Sequence, residues 1–196
     1  FGVILPPSMS EDERVIEVLR ELDCPYVRIA SVSLDAAGAM LVTNDHLGAA
    51  EAGRHLADLG HRRIGFISGP ALFRSSAERG GGFRRGLAER GLTLDERYVA
   101  EGAYTFESGV EAALDLLALD PPPTAIFTGN DEMALGVFKV ARDRGMEIPR
   151  DLSVVGYDDL PMASRVWPNL TSVRLPIRDM GRMAAERLLA PMRGLD

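Results

Sequence analysis

The sequence predicts an α/β fold in which parallel strands carry helices on both faces. Short apolar runs alternate with stretches of helical spacing along nearly the whole chain. The runs are apolar at successive positions, as strands buried on both faces are. Strands of that kind joined by helices make a parallel sheet between two helical layers.

The first strand is GVIL (2–5). Ser10 and Glu13 have capping-box spacing, which would satisfy free N–H groups at a helix start. Val15, Ile16, Val18, Leu19 and Leu22 follow at helical spacing. YVRIA (26–30) and AMLVT (39–43) are the next strands. Asn44 and Asp45 precede a helix with Ala49, Ala52, Leu56 and Leu59 on one face. Gly60 closes it, since glycine enters the left-handed region freely.

RIGFIS (63–68) is a strand, and a helix over about 77–90 stops near Gly91. YVAEG (98–102) is a strand, followed by a helix with Val110, Ala113, Leu114 and Leu117 in register. DPPP (120–123) reads as a stiff turn before the strand TAIFT (124–128). The next helix carries Met133, Val137, Phe138 and Ala141 and ends at Gly145. LSVVGY (152–157) is a strand, LTSVRLP (170–176) an extended crossing segment, and Ile177, Met180, Ala184 and Leu188 mark the last helix.

The 196 residues suit one or two domains, and 46% hydrophobic with 26% charged residues is ordinary for a soluble protein. No apolar run approaches the roughly 20 residues that span a bilayer, so no membrane partner is expected. The net charge is −7. A surface that grips DNA carries a basic excess, so HRR (61–63) and FRR (83–85) are expected to be solvated faces. The single cysteine, Cys24, excludes an internal disulfide and suits a reducing compartment; it is expected to be a buried, inert thiol. The chain opens FGVIL without Met and is expected to be a piece of a longer protein.

In open parallel sheets, ligands bind outside the carboxyl ends of the strands. Phe73, Ser75 and Arg79 follow the 63–68 strand, Tyr104 follows 98–102, Asn130 and Asp131 follow 124–128, and Asp158 and Asp159 follow 152–157. A guanidinium fork, an aromatic ring, an amide and a carboxylate together suit a polyhydroxylated ligand. Plainer roles compete: Asp45 and Asp131 suit helix N-caps, Asp159 a turn, and Arg79 an ion pair with Glu78 or Asp131. In AIFTGNDEMALG (125–136), Asp131 is expected to cap the helix and Asn130 to meet the ligand.

An enzyme is not expected. GFISG (65–69) sets its serine one place late for a nucleophile elbow, and GGGFRRG (80–86) fits no phosphate loop and falls inside a helix. His46, His55 and His61 are nine and six residues apart, not the four that puts two ligands on one helical face. No metal and no cofactor is expected. His61 is expected at a helix C-terminus, its ring against free carbonyls.

HLADLGHRRIGFISG (55–69), RGGGFRRGL (79–87), AIFTGNDEMALG (125–136), DLSVVGYDD (151–159) and PNLTSVRLPIRDMGRMAAERLL (168–189) keep one order and spacing. Together they resemble the effector-binding core of the LacI/GalR family of bacterial transcription regulators. The resemblance implies a two-subdomain, periplasmic-binding-protein-like fold with the effector in a cleft. Residues 1–45 and 175–196 would be a partial N-terminal subdomain and 46–174 the C-terminal one, with hinges near Asn44–His46 and Val173–Leu175. It implies effector contacts by Phe73, Ser75, Arg79, Tyr104, Asn130 and Asp158. It also implies a cytoplasmic homodimer that meets operator DNA only through a headpiece not in this chain. The rival reading is a periplasmic sugar-binding protein. Ala30 and Ser31 stand where many members carry an acidic residue, and Phe73 where some carry a polar contact. The first departure argues against a carboxylate contact from the N-terminal half and so against a simple hexose; the second tilts the pocket toward a more apolar or aromatic-bearing ligand.

Overall fold

The computed structural model describes residues 2–10, 12–30 and 39–190, so Ser31 lies outside the described residues. The chain divides into two units: Phe1–Asn44 with Pro176–Asp196, and Asp45–Leu175.

In the first unit, β1 (Val3–Leu5), β2 (Tyr26–Ala30) and β3 (Ala39–Val42) form a parallel sheet in that order. Val27, Ile29 and Leu41 pack with Ala184 of the last helix, α7 (Ile177–Leu189), and Met180 and Leu188 close over them. The capping-box expectation fails. Ser10 ends a short helix α1 (Pro7–Ser10), and its hydroxyl donates to the carbonyls of Pro6 and Leu5 at 2.9 and 3.1 Å. Asp12 instead caps α2 (Glu13–Glu21), accepting from the Arg14 N–H at 3.0 Å. Pro7, with its φ preset for a first helical position, had already begun a turn upstream. Cys24 is only half-buried, which corrects the buried thiol; it lies at the exposed turn that leads into β2.

In the second unit, the strands are β4 (Ile64–Ser68), β5 (Val99–Glu101), β6 (Ala125–Thr128), β7 (Ser153–Asp158) and β8 (Thr171–Arg174), all parallel, in the order β5-β4-β6-β7-β8. The segment expected merely to cross is thus a fifth strand, with Val155 beside Thr171 and Asp158 beside Arg174. As an edge strand it is half-solvated, so it lacks the apolar run that marks its neighbours.

Alternation along the central strands fills two layers. Phe66, Phe127 and Val155 face α3 (Asp45–Asp58) and α4 (Arg74–Ala88); Ile67, Ile126 and Val154 face α5 (Phe106–Leu116) and α6 (Asp131–Asp143). Phe127 stacks on Phe66 and Phe83, and the three ring centroids lie 4.6–5.5 Å apart. GGGFRRG lies inside α4, as expected. Its glycines serve close packing: a Cβ at Gly82 would stand 2.0 Å from the His46 carbonyl oxygen, and one at Gly86 2.1 Å from that of Ala50.

Gly60 closes α3 at φ +91°, as expected. The His61 ring faces side-chain hydroxyls instead of helix-end carbonyls, however. Its nitrogens lie 2.9 Å from Thr124 Oγ1 and 3.1 Å from Ser153 Oγ. The turn at Gly60 carries it past the helix end to the start of β6 and β7, where burial and the His55 charge lower its pKa. The HRR and FRR arginines pair locally: Arg84 with Glu96, Arg85 with Glu89, and Arg63 to the Pro122 carbonyl.

Candidate functional site

The strand order reverses direction between β4 and β6, and a crevice opens at the carboxyl ends of strands at such a point. There the chain leaves β4 at Ser68-Gly69 and β6 at Thr128-Gly129. Both glycines leave room for Tyr104: a Cβ at Gly69 would stand 2.0 Å from the Tyr104 ring, and one at Gly129 3.2 Å from it.

All six residues expected at the site meet here. Arg79 is buried at 7% exposure. Its Nε donates to Asp45 Oδ2 at 3.2 Å, Nη1 to the Gly129 carbonyl at 2.5 Å, and Nη2 faces Asp158 Oδ1 at 3.3 Å. These partners replace the expected pairing with Glu78 or Asp131. The Tyr104 hydroxyl lies 2.8 Å from Ser76 Oγ and 3.4 Å from Ser75 Oγ. Its ring lies 6.0 Å from that of Phe73 and 6.0 Å from the Arg79 guanidinium carbon.

The Asn130 and Asp131 roles at the helix start are corrected. Asn130 is the N-cap of α6: its Oδ1 accepts from the Met133 N–H at 3.0 Å, and its Nδ2 donates to the Tyr104 carbonyl at 3.0 Å. Asp131 is wholly buried and pins the neighbouring segments, accepting from the Ser172 hydroxyl at 2.6 Å and the Leu160 N–H at 2.7 Å. The amide of Asn130 keeps one N–H and one lone pair beyond these bonds. Asp45 is no solvent-side cap either: it is buried at 2% at the first turn of α3, bound to Arg79.

Three residues around the crevice hold left-handed backbone angles: Tyr104 (φ 61°), Asp158 (φ 107°) and Asp159 (φ 54°). Non-glycine residues keep such angles only where their surroundings over-determine them, and they cluster at functional sites. Burial raises the Asp158 pKa to about 6, with the charges of Asp131 and Asp45 adding to it and Arg79 opposing. Burial works against the Arg79 charge, and Asp45 and Asp158 outweigh it, leaving its pKa above the ordinary value.

Sequence reasoning missed Tyr157, Ser76 and the pairing role of Asp45. The Arg79 guanidinium carbon lies 3.8 Å from the Tyr157 ring centroid, and the Tyr157 hydroxyl is 3.4 Å from Asp45 Oδ1. The signals were present. Tyr157 shares a strand face with Val155, and Ser76 is one helical turn before Arg79.

A periplasmic-binding-protein-like domain model matches residues 54–196. Catabolite control protein A of Priestia megaterium is 39% identical over 188 residues, 95% of this chain and 56% of that protein. The repressor CytR of Escherichia coli is 39% identical over 191 residues, 97% of this chain and 50% of that protein. Among solved structures, a LacI-family regulatory protein from Chloroflexus aggregans superposes with a TM-score of 0.88 at 34% identity, covering 98% of this chain and 69% of that one. The regulator CelR, solved as a cellobiose complex, gives a TM-score of 0.89 at 34% identity, covering 100% and 60%. The chain therefore belongs to the LacI family of transcriptional regulators and carries their periplasmic-binding-protein-like core. It spans about half the length of the curated relatives it matches.

Proposed function

We propose that this chain is the effector-sensing core of a LacI-type transcriptional regulator, binding a sugar or sugar-like molecule at the carboxyl ends of the β4–β7 strands. The observation that carries the reading is the convergence of Arg79, Tyr104, Asn130 and Asp158, with Phe73 and Ser75 beside them, at the switch point of the sheet. The mixture of fork, ring, amide and carboxylate matches vicinal hydroxyls and an apolar ring face. Cellobiose in CelR and ribose in a LacI-family regulator from Enterococcus faecium support the ligand class. On this reading the chain is a sensor and not an enzyme, works in the cytoplasm, and reaches operator DNA through another part of the parent protein. An effector shifts operator affinity only by its difference in affinity for the two regulator states.

The test uses the full-length regulator. A ligand found by its rise in melting midpoint across saccharides and nucleosides is then titrated against operator DNA by fluorescence anisotropy. Tyr104→Ala is expected to shift the effector's half-maximal concentration upward about tenfold, the loss of one ring contact. A screen with no stabilising ligand, or an unchanged half-maximal effector concentration in Arg79→Ala and Asp158→Ala alike, would refute the assignment.

We further infer a homodimer joined through the face around Trp167. That side chain is 92% exposed. It borders a groove of about 650 Å³ lined by Leu135, Phe138 and Val166, with Arg142 and Glu147 also in the lining. A two-fold contact needs one self-complementary patch, and a projecting ring beside an apolar groove with charges of both signs is one. Trp167→Glu is expected to weaken self-association about thirtyfold by light scattering, as for a central tryptophan anchor. An unchanged molar mass at dilution would place the contact elsewhere.

A further inference from the structure

The charge arrangement around Arg79 carries an inference about ligand class, resting on the sensor reading above. Arg79 reaches the crevice already committed. Asp45 holds its Nε from the start of α3, at 3% side-chain exposure, and Asp158 faces Nη2 from the end of β7 at 18%. Tyr157 covers the guanidinium plane at 3.8 Å, and the Gly129 carbonyl takes Nη1. One cation between two carboxylates leaves the cluster with a net negative charge.

An anion approaching this guanidinium would meet two carboxylates within ion-pair distance of it. Buried charges are screened far less than surface ones, so that repulsion is not lost to salt. An uncharged hydroxyl has no such penalty. It can accept from a remaining guanidinium N–H and donate to Asp158 at once.

We propose that Asp45 and Asp158 together set the charge selectivity of the site, so that it takes an uncharged polyhydroxylated ligand, a neutral saccharide or nucleoside, and rejects sugar acids, phosphate esters and nucleotides. Asp45 acts as a positioning residue behind Arg79, while Asp158 meets the ligand.

Inorganic phosphate is the probe, titrated by calorimetry at pH 7 into the full-length regulator. The wild type is expected to show no saturable binding that depends on Arg79. The double variant Asp45→Asn/Asp158→Asn keeps the shapes and removes two negative charges. It is expected to gain phosphate affinity at least about tenfold. That gain should vanish when Arg79→Met is added. Saturable phosphate or glucuronate binding by the wild type that is lost in Arg79→Met, with the variant shown to be folded by circular dichroism, would overturn the proposal. A well-folded double variant without the gain would overturn it as well. Neither failure touches operator release by a neutral effector, and an absent effector response would leave the phosphate result standing.

Discussion

Arg79→Met is expected to lower the stability of the unit formed by Asp45–Leu175 by about 3–5 kcal/mol, the cost of stranding buried partners of a lost charge. The methionine restores much of the volume and can lie against the Tyr157 ring, so cavity formation is not the main term. What remains is Asp45 at 3% and Asp158 at 18% side-chain exposure, two carboxylates that lose the counter-charge they share. Either must then be protonated or bear its desolvation alone. The variant's deficit should therefore shrink on acidification, since protons supply what Arg79 supplied, and widen above neutrality. Urea unfolding at pH 5 and pH 8 measures both numbers. Arg84→Met is the contrast: its pair with Glu96 stands at 42% and 70% exposure, and exposed pairs contribute about 0–1 kcal/mol. A deficit at Arg79 no larger than that at Arg84, or one independent of pH, would mean that the cluster is not a coupled buried unit.

Much of this was legible in the sequence, for identifiable reasons. The central strands were readable because β4 and β6 are buried on both faces, which forces apolar residues at every position. The clustering of Arg79, Tyr104, Asn130 and Asp158 was readable because polar side chains of an open sheet collect at the ends of such runs. The failures share a cause as well. Asn and Asp are equally good N-caps, so Asn130-Asp131 gives two answers until the backbone fixes which comes first. The chain turns at Gly129 so that Asn130 adopts the extended cap geometry (φ −155°), which leaves Asp131 inside the first turn facing Ser172. Ser10 was misread for a similar reason: the turn begun at Pro7 makes it the end of one helix and leaves Asp12 to cap the next. Tyr157 was hidden differently. Inside a buried strand a tyrosine reads as core, and only the position of Arg79 on another element reveals the ring as a platform for a cation. β8 was hidden because an edge strand need not be apolar.

Asp158→Asn is expected to move stability and response in opposite directions. Burial, with the charges of Asp131 and Asp45, raises the Asp158 pKa to about 6 against an ordinary value of 3.8. A carboxyl group with a raised folded-state pKa binds its proton more tightly folded than unfolded. Its stabilising contribution is complete below about pH 4 and is lost as pH rises through about 6. At pH 7 the ionised group therefore costs up to about 3 kcal/mol, some two pKa units at 1.36 kcal/mol each. The amide escapes that cost but gives Arg79 a weaker partner, so the net gain at pH 7 should be about 1–2 kcal/mol. The gain should disappear as the pH falls to 4, where the wild-type group is protonated too. Melting midpoints of both forms from pH 4 to 8 trace the difference, and a gap that does not grow across pH 4–6 would refute the raised pKa. Asparagine also tolerates the left-handed backbone at this position (φ 107°) better than most residues, so strain does not confound the comparison. The effector response should nevertheless fall, because an amide cannot accept from two neighbouring hydroxyls as a carboxylate does. A residue kept for the fold would lose stability when replaced. One that gains stability and loses response is held in place, against the preference of the fold, by what it binds.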